Sequence, residues 1–352
     1  MSVTLVSPAP RHIGMLTGGG DAPGLNGIIE AASRTLLRAG FQITGILDGF
    51  DGVFEGRTRP ITLEAITGIH SQAGTFLGTS NKSRIQGRSE EFRVAFHKLG
   101  VDGLLMAGGD GTFAALKMLD TDLPVIGVPK TIDNDLPGTE ITFGYDTACS
   151  VVAEAVDALR ATAEAHRRIM IVETMGRTAG WIALGGGLAS YADAILIPER
   201  PFSRAHLLEY LKKRRTDGAR GLVLAVTESA HAEGETPEVA HRVKDSFEQE
   251  RYGGIAERLA RWIEKEIGWE CRHVVLGHLQ RSHAPTTTDR FLTATMGTRA
   301  AELVIERRWN RAIVYRQGRV QDAPLAEIQG PVRCVSSEHP WIKLVQDLGI
   351  FI

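Results

Sequence analysis

The 352-residue chain has only three cysteines, Cys149, Cys271 and Cys334. They are far apart, odd in number and in no metal-ligand spacing. That excludes a disulfide framework and fits a reducing, cytoplasmic location. No apolar run reaches the ~18 residues that a membrane-spanning helix needs. The amino terminus, MSVTLVSPAPRH, lacks the basic-then-apolar order of a secretory signal. Excess charge is missing too: 40 basic residues against 42 acidic leave a net −2, so neither nucleic acid nor an anionic membrane is indicated as a partner. Two common nucleotide signatures are also absent. No glycine-rich loop ends in the Lys-Ser/Thr of a Walker motif, and none is spaced as GxGxxG.

What the chain has is glycine, 39 residues of it, clustered at the ends of apolar runs. The central case is LLMAGGDGTFAAL, residues 104 to 116. An apolar strand meets Gly108, Gly109, Asp110 and Gly111, and Thr112 then opens a run with helical spacing. Glycine lets backbone N–H groups approach an anion, and a helix start favours negative charge. An acid among such glycines suits Mg²⁺, a hard cation that takes carboxylate and phosphate oxygens. Taken alone, GGDG serves equally as a tight turn. A second such loop, Thr17 to Gly24, follows the strand at His12 to Leu16, with Asp21 placed to cap the next helix and Pro23 in its first turn.

Strand and helix patterns alternate to the end of the chain, which predicts an α/β protein with largely parallel sheets. At ~150 residues per domain the length suggests two, with a hinge near Phe143 to Thr147. Residues 48 to 59 read as a loop. Residues 74 to 88 read as a basic loop carrying Lys82, Arg84 and Arg88. Residues 229 to 254 read as a polar, helix-compatible insertion, and AIVY at 312 to 315 as the last strand. Polar groups gather at strand carboxyl ends, where open α/β sheets bind ligands. Lys130, Thr131, Asp133 and Asp135 follow one strand; Arg177, Glu228, His278 and Arg281 follow others and suit a polyhydroxylated anion.

LTGGGDAPGLN, FLGTS, AGGDGT, PKTIDNDLPGT, ETMGRTAG, TE and LGHLQR, in this order between residues 12 and 310, resemble the motifs of 6-phosphofructokinases. The resemblance implies two Rossmann-like three-layer α/β domains: residues 1–144 with about 280–330 for nucleotide, and 145–279 with about 331–352 for fructose 6-phosphate. It implies Asp133 as general base on the sugar 1-hydroxyl, with Thr131 beside it, and Arg177 stabilising the transferring phosphoryl. Asp110 resembles the Mg²⁺ ligand, and Asp135 the holder of a metal-bound water. Gly19, Asn81, Lys82, Gly109, Asp110, Gly111 and Thr112 resemble the nucleotide contacts. Met175, Gly176, Arg177, Glu228, His278 and Arg281 resemble the sugar-phosphate site. Arg168 and Arg272 match arginines that reach the substrate from an adjacent subunit, implying a homo-oligomer, a tetramer most often.

The family uses ATP or pyrophosphate. Pyrophosphate enzymes resemble GGDD with PKTIDND and bacterial ATP enzymes GGDG with PGTIDND; this chain has Gly111 with Lys130. An Asp at 111 would crowd and repel the α-phosphate of ATP, whereas Lys130 need not block it. The expected donor is therefore ATP, with pyrophosphate the alternative and a non-catalytic nucleotide sensor a second. The sequence departs from the family in QRSHAP after the sugar site. It departs also at Glu30, Leu63, Asp217 and Ala219, which stand where the bacterial effector site is basic, although Arg34 and Arg160 match.

Overall fold

The computed structural model describes residues 11–80, 85, 87–118, 123–242 and 250–352. Asn81, Lys82 and Arg84 lie outside the described residues. The strands are β1 (His12–Gly18), β2 (Gln42–Ile46), β3 (Thr58–Pro60), β4 (Gly103–Gly108), β5 (Val125–Pro129), β6 (Ile169–Thr174), β7 (Ala194–Leu196), β8 (Leu222–Thr227), β9 (Val239–Arg242), β10 (Glu250–Tyr252), β11 (Cys271–Val275), β12 (Arg311–Arg316) and β13 (Arg319–Pro324). They fall into two compact units. The first comprises Met1–Lys130, Gly138–Phe143 and Thr287–Gly330, the second Thr131–Pro137, Gly144–Thr286 and Pro331–Ile352. The Thr131–Pro137 loop thus belongs to the second unit.

The first unit holds a seven-stranded sheet in the order β13-β12-β5-β4-β1-β2-β3. Its five inner strands are parallel, and β3 and β13 add antiparallel edges. All of β4 and β5 is buried, as their uninterrupted apolar runs require of strands covered on both faces. Helices Leu25–Arg38 and Thr287–Ile305 fill one core with the sheet through Ile28, Ile29, Ala32, Met296, Ala300 and Ala301. They meet closely: a Cβ on Gly297 would stand 3.0 Å from the Ile28 carbonyl oxygen.

The second unit holds a four-stranded parallel sheet, β11-β6-β8-β7, and the antiparallel pair β9–β10. Helix Arg204–Thr216 starts as its sequence predicts, with the Ser203 hydroxyl accepting from the His206 amide. Chains of this kind, parallel sheets with helical crossovers, carry their loops at strand carboxyl ends.

Four local expectations are corrected. Asp21 does not cap the first helix; Gly24 does so at φ 102° without a side-chain bond, and Pro23 lies before it. Residues 48 to 59 contain helix Phe50–Glu55 and β3. The polar 229 to 254 stretch contributes β9 and β10 rather than helix. AIVY is not the last strand, because Gln317 and Gly318, both at positive φ, form a two-residue hairpin into β13.

Candidate active site

In the first unit the phosphate-type loops follow β1 and β4. The second helix of the pair begins at Asp110, two residues before the expected Thr112, so the carboxylate occupies its first turn. Gly18 and Gly108 face each other in the parallel register, and a Cβ on either would come within 2.8 Å of the Thr112 side chain. Thr112 is buried there, so both loop floors must be glycine. Gly19, at φ 79°, donates its N–H to the Ser80 carbonyl at 3.1 Å and accepts from the Thr79 hydroxyl.

Lys130 is 4 % exposed. Its Nζ lies 3.4 Å from where a Cβ on Gly19 would stand and 3.7 Å from the same point on Gly109. One buried ammonium therefore sits beside both glycine loops. This is the charge and shape of an anion cradle. Gly111 adds no side chain to it, while Asp110 adds a carboxylate. Among the described residues no group of three or more His, Cys, Asp or Glu gathers as a metal cage.

In the second unit the acids collect beside one arginine. Asp133 is 4 % exposed, its amide donating to the Thr131 hydroxyl at 3.0 Å. Its Oδ1 is buried without a hydrogen-bond partner among the described residues. A buried acceptor left open in this way is costly unless something else fills it. Gly176 turns the chain at φ 143°; a Cβ there would lie 2.5 Å from the Ala179 carbonyl oxygen. Arg177 follows at φ 51°. Its amide donates to Glu228 at 2.9 Å and its carbonyl accepts from the Ser229 hydroxyl.

Glu228 ends β8. Burial pushes its carboxyl up; the Arg177 amide opposes this, the charges of Asp133 and Glu173 add to it, and Arg281 opposes it, leaving the pKa at about 7. Glu173 is buried at the end of β6 and accepts from the Gly254 and Ala256 amides, capping helix Ile255–Ile267. Glu173 opens the ETMGRTAG motif and Ser229 follows the TE pair, but local sequence singles out neither.

Met175, Gly176, Arg177, Glu228, Asp133 and Thr131 therefore belong to one loop cluster, with Arg281 close enough to act on Glu228. His278 follows β11 and is exposed. Arg168 and Arg272 are not brought to this cluster. They stand where β6 and β11 begin and share Glu270, at 3.7 and 2.8 Å. The six-residue β6 holds its two ends about 17 Å apart. Of the matched effector positions, Arg34 is tied to Glu30 at 2.8 Å and Arg160 to Asp193 at 3.2 Å.

The family model for phosphofructokinase matches residues 12–304. The chain belongs to the phosphofructokinase family. It is 41% identical over 332 residues to ATP-dependent 6-phosphofructokinase 2 of Streptomyces coelicolor, covering 93% of this chain and 97% of that protein. Identity is again 41% over 332 residues, with the same coverage, to a pyrophosphate–fructose 6-phosphate 1-phosphotransferase of Amycolatopsis methanolica. Among solved structures, a phosphofructokinase from Saccharomyces cerevisiae superposes with a TM-score of 0.80 at 26% identity. The match covers 90% of this chain and 44% of that one. Family membership accounts for the two loop sets, but its members use different phosphoryl donors. No helix of the described residues is long and apolar enough to cross a membrane.

Proposed function

We propose that this phosphofructokinase transfers the γ-phosphoryl of ATP to the 1-hydroxyl of fructose 6-phosphate. The observation that carries the reading is the open, buried Oδ1 of Asp133 within the Arg177–Glu228 cluster. A base needs a free lone pair where the acceptor hydroxyl will lie, and dry surroundings that keep it from water. Asp133 takes the hydroxyl proton. Arg177 stabilises charge on the transferring group, in a reaction that depends on positioning and neutralisation more than on covalent chemistry. Met175, Gly176, Glu228, His278 and Arg281 hold the sugar phosphate. Gly19, Gly109, Gly111, Thr112 and Lys130, with Asn81 and Lys82, hold the donor.

Mg²⁺ fits the residues present. Asp110 offers one hard oxygen donor, and Mg²⁺ is commonly held by one or two carboxylates completed by substrate phosphates rather than by an all-protein cage. When bound, the ion neutralises charge on the donor phosphates.

Pyrophosphate is the second reading, favoured by the buried Lys130 ammonium beside both loops. Gly111 favours ATP, because it places no carboxylate near the α-phosphate. The test is turnover of fructose 6-phosphate with Mg²⁺ and ATP, run beside pyrophosphate. Turnover with ATP alone supports the reading, and turnover with pyrophosphate alone overturns its donor. Nucleotide binding with no turnover would make the chain a sensor. We further propose a homo-oligomer, tetrameric by preference, in which Arg168 and Arg272 serve a neighbouring copy, since they lie at the far ends of their strands. A monomer by light scattering that turns over normally would overturn this.

A further inference from the structure

The family model ends at residue 304, and none of the motifs lies beyond 310. A later segment nonetheless closes on the Asp133 loop. The Arg333 amide donates to the Asp135 carbonyl at 2.7 Å, and its Nη2 donates to the Asn134 carbonyl at 2.6 Å. The guanidinium lies over the Trp181 ring, its Cζ 4.2 Å from the centroid, and Trp181 Nε1 donates to the Arg333 carbonyl at 2.7 Å. Two residues on, the Val335 amide donates at 2.8 Å to Glu199, whose carboxylate also accepts from the Gly180 amide. Residues 333 to 335 are thus a strap tied at one side to the start of helix Trp181–Ala189 and at the other to residues 134 and 135.

The strap meets the loop at its turn. Asn134 has φ 54°, a left-handed conformation that costs most L residues about 1–2 kcal/mol and that Asn tolerates better than most. It is the residue immediately after Asp133. Losing the two Arg333 hydrogen bonds would release the Asn134 and Asp135 carbonyls and loosen the turn that sets where Asp133 points. The planar, permanently charged guanidinium is suited to prevent this, because its place over the Trp181 ring fixes the fork that donates to the carbonyl.

We propose that Arg333 is a positioning residue for the general base, holding the Asn134 turn so that the Asp133 carboxylate stays aimed at the acceptor hydroxyl. This rests on the reading of Asp133 given above. In this proposal Arg333 acts through the loop and not on the substrate.

The experiment compares wild type, Arg333→Ala, Arg333→Lys and Asp133→Asn in the full-length protein, with native circular dichroism as the entry condition. In Arg333→Ala, kcat falls about 100-fold, as a misplacement near 1 Å is expected to produce, while KM for fructose 6-phosphate stays close to wild type. Amide hydrogen exchange in peptides covering 131–137 speeds up. Millimolar ethylguanidinium restores part of kcat, and ethylammonium does not. Arg333→Lys keeps charge without the fork and lies between; it carries the test alone should alanine fail to fold. Wild-type kcat in a folded variant overturns the proposal. So does a loss of kcat with unchanged exchange at 131–137. If Asp133→Asn retains full turnover, the base assignment fails separately, and the exchange data still decide whether Arg333 holds the loop.

Discussion

The Glu228 carboxylate accepts the backbone N–H of Arg177 at 2.9 Å, and the Ser229 hydroxyl donates to the Arg177 carbonyl. Two consecutive residues at the end of β8 therefore hold both peptide groups of an arginine kept at φ 51°. The neighbouring strand end thereby grips the arginine's backbone on both sides.

Glu228 makes stability depend on pH. Its carboxyl is raised from the ordinary 4.5 to about 7, chiefly by burial. A group whose folded pKa is raised contributes fully below the unfolded value, and the contribution is lost as pH rises through the folded one. Stability should therefore decline between about pH 4.5 and pH 7, by up to about 3 kcal/mol. Glu228→Gln should flatten the decline. Denaturant midpoints across that range check it, and an identical slope in the variant would refute it.

Asp133→Asn should cut kcat by about 10³-fold, the usual scale of a lost general base, with a wild-type unfolding midpoint. It also removes a negative charge that helps to raise Glu228. The pH-dependent decline above should then be smaller and end at lower pH. Steady-state kinetics and the same denaturation series read the two effects independently.

Gly111→Asp should lower kcat/KM for ATP about tenfold or more by placing like charge beside a phosphate, with pyrophosphate less affected. Lys130→Ala should weaken either donor, because the ammonium lies beside both glycine loops. Paired assays with the two donors decide. An ATP preference unmoved by Gly111→Asp would remove that position from donor choice.

Glu30 predicts acid sensitivity. Burial works against its charge, but the His70 amide and ring, the Gly68 amide and Arg34 outweigh it and hold the carboxyl at about 2. Such a group stabilises above its unfolded pKa, and that stability is lost as pH falls from about 4.5 toward 2. Glu30→Gln should cost about 1–3 kcal/mol near neutrality and shift acid unfolding to higher pH. A melting curve matching wild type at neutral pH would count against it.

Much of the fold was legible because parallel strands buried on both faces read as apolar runs, and β4, β5, β6 and β8 do so without interruption. The site motifs were legible for the same local reason: glycine, acid and arginine stand directly after those runs. The first helix start misled, since Asp-Ala-Pro has the composition of a cap while the chain caps with Gly24. The β9–β10 pair escaped because its residues are polar, and antiparallel pairing depends on a partner strand that local composition does not name.

By itself, then, the amino-acid sequence determined the alternation of strand and helix, the two glycine loops that follow apolar runs, and the identity of the acids and arginines at strand ends. These depend on backbone freedom and on burial of neighbouring residues, both local properties. Only the tertiary structure decided that Thr131–Pro137 leaves the unit of the strand it follows, that Asp133 keeps a buried open oxygen, and that Arg333, about 200 residues downstream, holds the turn beside it. Those outcomes come from desolvation and from long-range hydrogen bonds, which exist only once distant segments have packed.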